Sequence, residues 1–391
     1  MSAPIRVLEL RSARGAGGGP DKTIVAGAAA SRRDRYAITV CYLQDQRDDR
    51  FSIGGRAESA GVDFVPVEER HSFDPAVWPA LLRIVRDRRI DVVHAHDYKT
   101  DLLALALARR TGIVPLATVH NWCGRSLRER LFYYPADKRL MRFFPLVIAV
   151  STPIRNELLR LGVPPSRIRM LVNGVDVAAF TRDPEVVAEA RATAGASAGD
   201  WLIGAVGRLE AEKRYDLLIE AAAELRERGR AVRVAIVGEG SERPRLEALA
   251  AERGFGFADR CWLPGHRADV ARVCQGYDVF VQSSDDEGTS NALLEAMALE
   301  VPIVATNVGG TSDIATDGFD ARLVPPRDVL ALADVIEQTL VDREATAVRV
   351  RNARQRVEGP LSFAARNRAL ERIYEELVTN GAGATRRLAF V

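Results

Sequence analysis

Short apolar runs alternate with longer amphipathic segments along the whole chain, and no other feature narrows the possible fold as much. Runs of four to eight apolar residues are too short for ordinary helices and suit strands covered on both faces, with the amphipathic segments as the covering helices. Strands are expected at Ile5–Leu10, Tyr36–Leu43, Val62–Val67, Asp91–His94, Leu116–Val119 and Leu146–Val150. Helices fall between them, as at Ala76–Arg88 and Asp101–Thr111. The pattern restarts with strands at Leu202–Val206, Val232–Val237, Cys261–Leu263, Val279–Gln282 and Ile303–Thr306. Helices are expected there at Tyr215–Arg228, Glu242–Arg253 and Asn291–Leu299, with a helix and loop over Val186–Asp200. Two βα series imply an α/β protein of two doubly wound, Rossmann-like domains. The reading sets them at residues 1–175 and 176–364, with a turn at Asn173-Gly174-Val175-Asp176. A last amphipathic helix begins near Ser362, and the tail TNGAGATRRLAFV is expected to fray.

A chain of 391 residues exceeds one ordinary core, and 47% hydrophobic with 28% charged residues excludes wholesale disorder. No run is long and apolar enough to span a bilayer, and MSAPIRVLEL enters a strand without a signal peptide's apolar stretch. Cys41, Cys123, Cys261 and Cys274 lack metal-ligand spacing and read as reduced thiols of a cytoplasmic protein. The net charge of +2 hides an asymmetry. Residues 1–180 hold 28 Lys/Arg against 19 Asp/Glu, or +9, and the remainder 27 against 34, or −7. The basic half suits an anionic partner, although arginine-rich composition alone also produces such a bias.

The most informative stretch is SSDDEGTSNALLEAMAL, Ser283–Leu299, just past the strand Val279–Gln282. Open α/β sheets bind ligands at such strand ends. Ser290 or Asn291 can cap the helix that follows, whose first N–H groups favour an anion. Glu287 precedes that helix and Glu295 lies about one turn inside it, so one carboxylate can meet sugar hydroxyls and the other a ribose diol. After the strand Leu202–Val206 comes Gly207-Arg208-Leu209-Glu210-Ala211-Glu212-Lys213-Arg214. Arg208 and Lys213, five residues apart, can straddle a diphosphate and neutralise the charge that grows as it leaves. In the first half, Gly15-Ala16-Gly17-Gly18-Gly19-Pro20 is a glycine loop between a strand and a helix, open to phosphate or simply a turn. His120 ends a strand. His94-Ala95-His96-Asp97 invites a metal reading, which is set aside because alternate strand residues point to opposite faces.

Taken together these residues resemble glycosyltransferase family 4, the group 1 glycosyltransferases. Glu287 and Glu295 with Gly288, Asn291 and Leu294 match its signature, as does the following Val301-Pro302-Ile303-Val304. Arg208 and Lys213 match its Gly-Arg-Leu…Lys-Gly pattern, with Arg214 in place of the glycine. The resemblance implies a GT-B architecture, with an acceptor domain, a nucleotide domain, a cleft between them and a C-terminal helix (about 365–391) returning to the first domain. It implies a retaining transfer of a hexose-type sugar from a UDP- or GDP-linked donor to a glycan, lipid-linked or small-molecule acceptor. Arg208, Lys213, Glu287 and His120 would carry the chemistry, with no metal and no cofactor. Gly18, Gly19, Gly265, His266, Gly288, Thr289, Ser290, Asn291 and Glu295 would complete the donor site. The segment Arg125–Phe144 mixes six cations with apolar residues, and is read either as an anionic-membrane or acceptor surface or as a helix with its apolar side packed inward. Two rivals share parts of this reading, a nucleotide-sugar 2-epimerase of the same build and a non-catalytic anion-binding protein. No nucleic-acid motif is present.

Overall fold

The computed structural model describes residues 3–388 apart from 16, 73, 123–126 and 255–259. It forms two compact units, Met1–Val172 with Arg366–Val391, and Asn173–Ala365. The sequence reading sets its divisions at 175/176 and 364/365, three residues later and one residue earlier.

The first unit holds β1 (Ile5–Ser12), β2 (Tyr36–Asp45), β3 (Asp63–Glu69), β4 (Val92–Ala95), β5 (Val114–Val119), β6 (Val147–Ala149) and β7 (Ile168–Met170). They form one parallel sheet in the order β3-β2-β1-β4-β5-β6-β7. The second unit holds β8 (Trp201–Val206), β9 (Val232–Val237), β10 (Cys261–Trp262), β11 (Val279–Gln282), β12 (Ile303–Thr306) and β13 (Arg322–Val324), all parallel in the order β10-β9-β8-β11-β12-β13. Strand order reverses between β1 and β4 in one sheet and between β8 and β11 in the other, which opens a crevice at the strands' C-terminal ends.

Apolar side chains on both faces of each sheet explain the near-continuous hydrophobic runs. Val232, Val234 and Ile236 of β9 pack with Leu218, Ala221, Ala222 and Leu225 of the helix Tyr215–Glu227 in one core. In the first unit, Leu370, Ile373, Tyr374 and Leu377 of the helix Phe363–Leu388 pack with Val7, Val92, Leu116 and Ile148. Burying each such side chain contributes about 1.5–3 kcal/mol, so this helix returns to the first sheet as part of its core. The segment expected to fray continues as helix to Leu388. The expected strands all form. Two short edge strands, β7 and β13, are additional, as are the helices Val329–Val341 and Arg343–Glu358.

Candidate active site

In the second unit the loops after β8 and β11 lie side by side at the reversal of strand order and are stitched together by their own backbones. Ser283 Oγ donates to the Lys213 carbonyl at 3.0 Å, and the Asp285 N–H to the Glu212 carbonyl at 2.8 Å. This fastening brings Lys213 Nζ to 2.6 Å from Glu287 Oε1. Ser284 Oγ donates to the same oxygen at 2.6 Å. Glu287 is buried, and both of these bonds fall on Oε1. One oxygen is therefore anchored by two donors. The loop after β12 holds the Glu287 backbone: the Gly310 N–H donates to its carbonyl, and Gly309 sits at φ +52° where a Cβ would lie 1.9 Å from that oxygen. Only glycine fits there.

Arg208 is half-exposed and reaches Glu212 at 3.1 Å. Arg214, at the position where the family pattern has glycine, adopts φ 47°, ψ 44°, the left-handed conformation that favours glycine. Ionic contacts with Asp216 and Asp285, each at 3.0 Å, hold it there. Arg327 also binds Asp285, at 3.1 Å. Asp285 and Glu287 are thus both neutralised by cations.

Ser290 caps the helix Asn291–Ala298, its Oγ accepting the Leu293 N–H at 3.3 Å. Buried Asn173 donates from Nδ2 to the Thr289 carbonyl at 3.1 Å and to Asn291 Oδ1 at 2.9 Å, while its own Oδ1 is buried without a partner among the described residues. Gly288, Thr289 and the half-buried Glu295 flank this helix start. Gly265 lies at φ +84° after β10, where a Cβ would meet Glu239, and His266 beside it is exposed. The predicted donor residues of this unit cluster at the ends of β8, β10 and β11.

In the first unit the glycine loop is arranged differently from the sequence expectation. Gly18 is the N-cap of the helix Gly19–Ala30, so Gly19 is its first residue. The Gly18 N–H is occupied by Asp21, which accepts it at 2.6 Å. Asp21 is in turn held by Arg11 at 2.7 Å and by the Tyr42 hydroxyl at 2.8 Å. A carboxylate, neutralised by Arg11, thus sits where the reading placed a phosphate. His94 and His96 also differ from expectation. β4 ends at Ala95, so His96 is off the strand and turns back, bringing the two rings to 4.2 Å. Both contact buried Glu9 of β1. Among the described residues, Glu9, His94 and His96 alone have donor atoms close enough to hold a metal ion. However, His96 Nε2 and Glu9 Oε2 are 2.5 Å apart, a hydrogen-bond distance, whereas two ligands of one tetrahedral zinc lie roughly 3.4 Å apart. His120 follows β5, and its Nε2 lies 3.1 Å from His96 Nδ1.

Arg125 and Ser126 lie outside the described residues. The rest of the basic segment divides its apolar side chains: Met141 and Phe144 are fully buried in the first unit's core, and others face outward. Leu127, Leu131, Phe132 and Phe143 are 72%, 63%, 67% and 57% exposed. Arg128, Arg139 and Arg142 are exposed beside them.

A model of the group 1 glycosyl transferases matches residues 186–356, and a model of glycosyltransferase family 4 matches residues 17–179. The chain belongs to the group 1, family 4 glycosyltransferases. It is 30% identical over 313 residues to the D-inositol 3-phosphate glycosyltransferase of Frankia alni, spanning 71% of this chain and 74% of that protein. It is 29% identical over 307 residues to the glycogen synthase of Mycobacterium tuberculosis, spanning 74% and 69%. Anabaena HepE, solved in complex with UDP-glucose, superimposes with a TM-score of 0.83 over 95% of this chain and 100% of that one, at 19% identity.

The match to residues 186–356 lies wholly in the second unit and includes every residue of that unit that the sequence reading expects at a donor site. Several residues of this glycosyltransferase escaped sequence reasoning: Ser284, Asn173, Gly309, Asp21 and Glu9. Asn173 reads as a turn residue, and nothing in a linear scan ties it to Thr289 and Asn291. Glu9 alone carried a usable signal, as a carboxylate inside an otherwise apolar strand.

Proposed function

We propose that this glycosyltransferase moves a hexose-type sugar from a nucleotide diphosphate sugar, with retention at the anomeric carbon and without a metal ion. The Lys213–Glu287 pair at the ends of β8 and β11 carries the reading. Lys213 and Arg208 neutralise the departing diphosphate, and the helix at Asn291 adds its N-terminal dipole. Oε2 of Glu287 accepts a hydroxyl of the transferred sugar, and Glu295 holds the ribose. His120 faces the sugar in this assignment, and Gly265 with His266 lies near the base. HepE's complex with UDP-glucose favours a donor of that chemical class. The leaving phosphate takes the acceptor's proton, and no side chain is assigned as a nucleophile. The Arg- and Phe-bearing segment 127–143 would rest on an anionic membrane at the cytoplasmic face, close to a lipid-linked acceptor.

The two carboxylates separate the roles. Glu295→Ala should weaken both nucleotide diphosphate and intact donor, raising KM more than it lowers kcat. Glu287→Ala should lower kcat while affinity for the bare nucleotide diphosphate stays level or rises, because Lys213 loses a competing carboxylate. Calorimetry with UDP and GDP beside steady-state kinetics reads both. Loss of nucleotide binding in Glu287→Ala with none in Glu295→Ala would reverse the donor's orientation.

A further inference from the structure

We infer that Glu9 and His96 are positioning residues that act on the reaction through His120, fixing its tautomer so that Nδ1 faces the ligand as a hydrogen-bond acceptor. This rests on the reading of His120 as a contact of the donor sugar.

The argument starts at the buried end. Glu9 accepts the Tyr374 hydroxyl proton at 2.6 Å and touches His94 and His96. Burial alone would raise its carboxyl; the two histidines outweigh that and hold it well below the usual carboxylate range. It is therefore an anion, which can only accept. Burial, together with His94 alongside, lowers His96 to about 4 against the pull of Glu9. His96 is neutral and has a single ring proton. That proton must lie on Nε2, which faces Glu9 Oε2 at 2.5 Å.

The rest follows by elimination. With its proton on Nε2, His96 presents a bare Nδ1, and His120 Nε2 stands 3.1 Å from it. Two bare nitrogens cannot share a hydrogen bond, so His120 donates from Nε2. Burial and the charge of Arg11 keep His120 well below the ordinary histidine range, so it too is neutral. Its Nδ1 is left unprotonated on a ring that is only partly buried. Arg11 supports the arrangement from below, donating from Nη1 to the His96 carbonyl at 3.1 Å. Tyr374 ties the relay to the C-terminal helix, and Thr118 completes it by contacting His94 Nε2 at 2.7 Å.

The chemical consequence is specific. His120 accepts a hydrogen bond from a ligand hydroxyl and cannot serve as the acid that protonates a leaving oxygen. Its one proton points inward.

The test uses full-length protein labelled with ¹⁵N-histidine. The ring nitrogens are assigned by single substitutions of the five histidines. His96 and His120 should both show protonated Nε2 and unprotonated Nδ1 in the wild type, a measurement that needs no variant to be functional. A protonated Nδ1 on His120 overturns the relay outright. His96→Leu should then release His120 into a mixture of tautomers. It should lower kcat about three- to tenfold, the worth of one neutral hydrogen bond, with UDP affinity unchanged. If the wild-type tautomers are as stated but neither His96→Leu nor His120→Ala changes turnover, the relay is real and the placing of His120 at the sugar is what fails. A His96→Leu protein that lowers kcat while His120 keeps its tautomer assigns His96 a merely structural role and overturns the inference.

Discussion

Removing Lys213 should do two separable things, and the geometry sets the size of each. Lys213→Met keeps the methylene stem and deletes the charge 2.6 Å from Glu287 Oε1. Breaking a fully buried ion pair costs about 3–5 kcal/mol, because the surviving charge stays desolvated. Here the lysine side chain is 19% exposed, and Ser284 still donates to the carboxylate. Solvent screening and that remaining bond reduce the expected loss to about 2 kcal/mol. For a unit the size of Asn173–Ala365, this is a fall of roughly 4–8 °C in its melting transition. The double variant Lys213→Met/Glu287→Gln should recover most of that fall, since no unpaired charge remains. Turnover should drop by roughly 10²–10³ in the single variant, the cost of losing one group aimed at developing charge. It should not return in the double variant. Calorimetric melting of the full chain, ligand-free, beside a donor-consumption assay gives both readings. If Lys213→Met melts within a degree of wild type, or the double variant melts no higher than the single, the pair does not hold Glu287 in solution. The account of the anchored Oε1 then fails.

Three further outcomes follow from the same observations. Turnover should survive excess EDTA, because in the proposed mechanism Arg208 and Lys213 supply the charge a divalent ion would bring; loss restored by Mg²⁺ or Mn²⁺ refutes this. At position 214, Ala and Gly lose the same contacts with Asp216 and Asp285, but Ala keeps the left-handed strain. Arg214→Gly should therefore be about 1 kcal/mol more stable than Arg214→Ala, and equal melting temperatures would show that the backbone relaxes. The protein should co-sediment with anionic liposomes and be released by salt, and Leu131→Asp/Phe132→Asp should abolish this without lowering the melting temperature. Equal capture by neutral liposomes, or none by either kind, counts against the membrane surface.

Most of the fold was legible because strands covered on both faces leave continuous apolar runs, and a loop between such runs is where an α/β sheet exposes its chemistry. The Arg208–Lys213 and Ser283–Leu299 stretches were readable for that reason: each lies contiguously after a recognisable strand. What the sequence hid depends on approach between distant segments. The edge strands β7 and β13, three residues each, are too short to show a period, and both carry an arginine. His96 was misassigned because alternation holds only while the strand lasts, and β4 stops one residue earlier. Asp21 was overlooked because a glycine loop before a helix reads as an open anion site until the helix's own carboxylate is seen accepting the Gly18 N–H.

Arg214 illustrates the limit from the other side. A linear comparison shows only an arginine where the family has glycine, and the departure looks small. The backbone shows why glycine suits the position and what this chain uses instead: an arginine bound to Asp216 on the helix it precedes and to Asp285 on the loop that carries Glu287. The substitution therefore adds a tie between the two loops of the candidate site at the expense of local strain. Asp285 opens a run of three acidic residues, Asp285-Asp286-Glu287. In the structure it is the point where Arg214 and Arg327 fasten the loop, and Glu287 two residues later is held by Lys213. Asp285 and Glu287 are thus each held by basic residues that follow other strands. Asp285 and Glu287 thereby fix the positions of the cations around them.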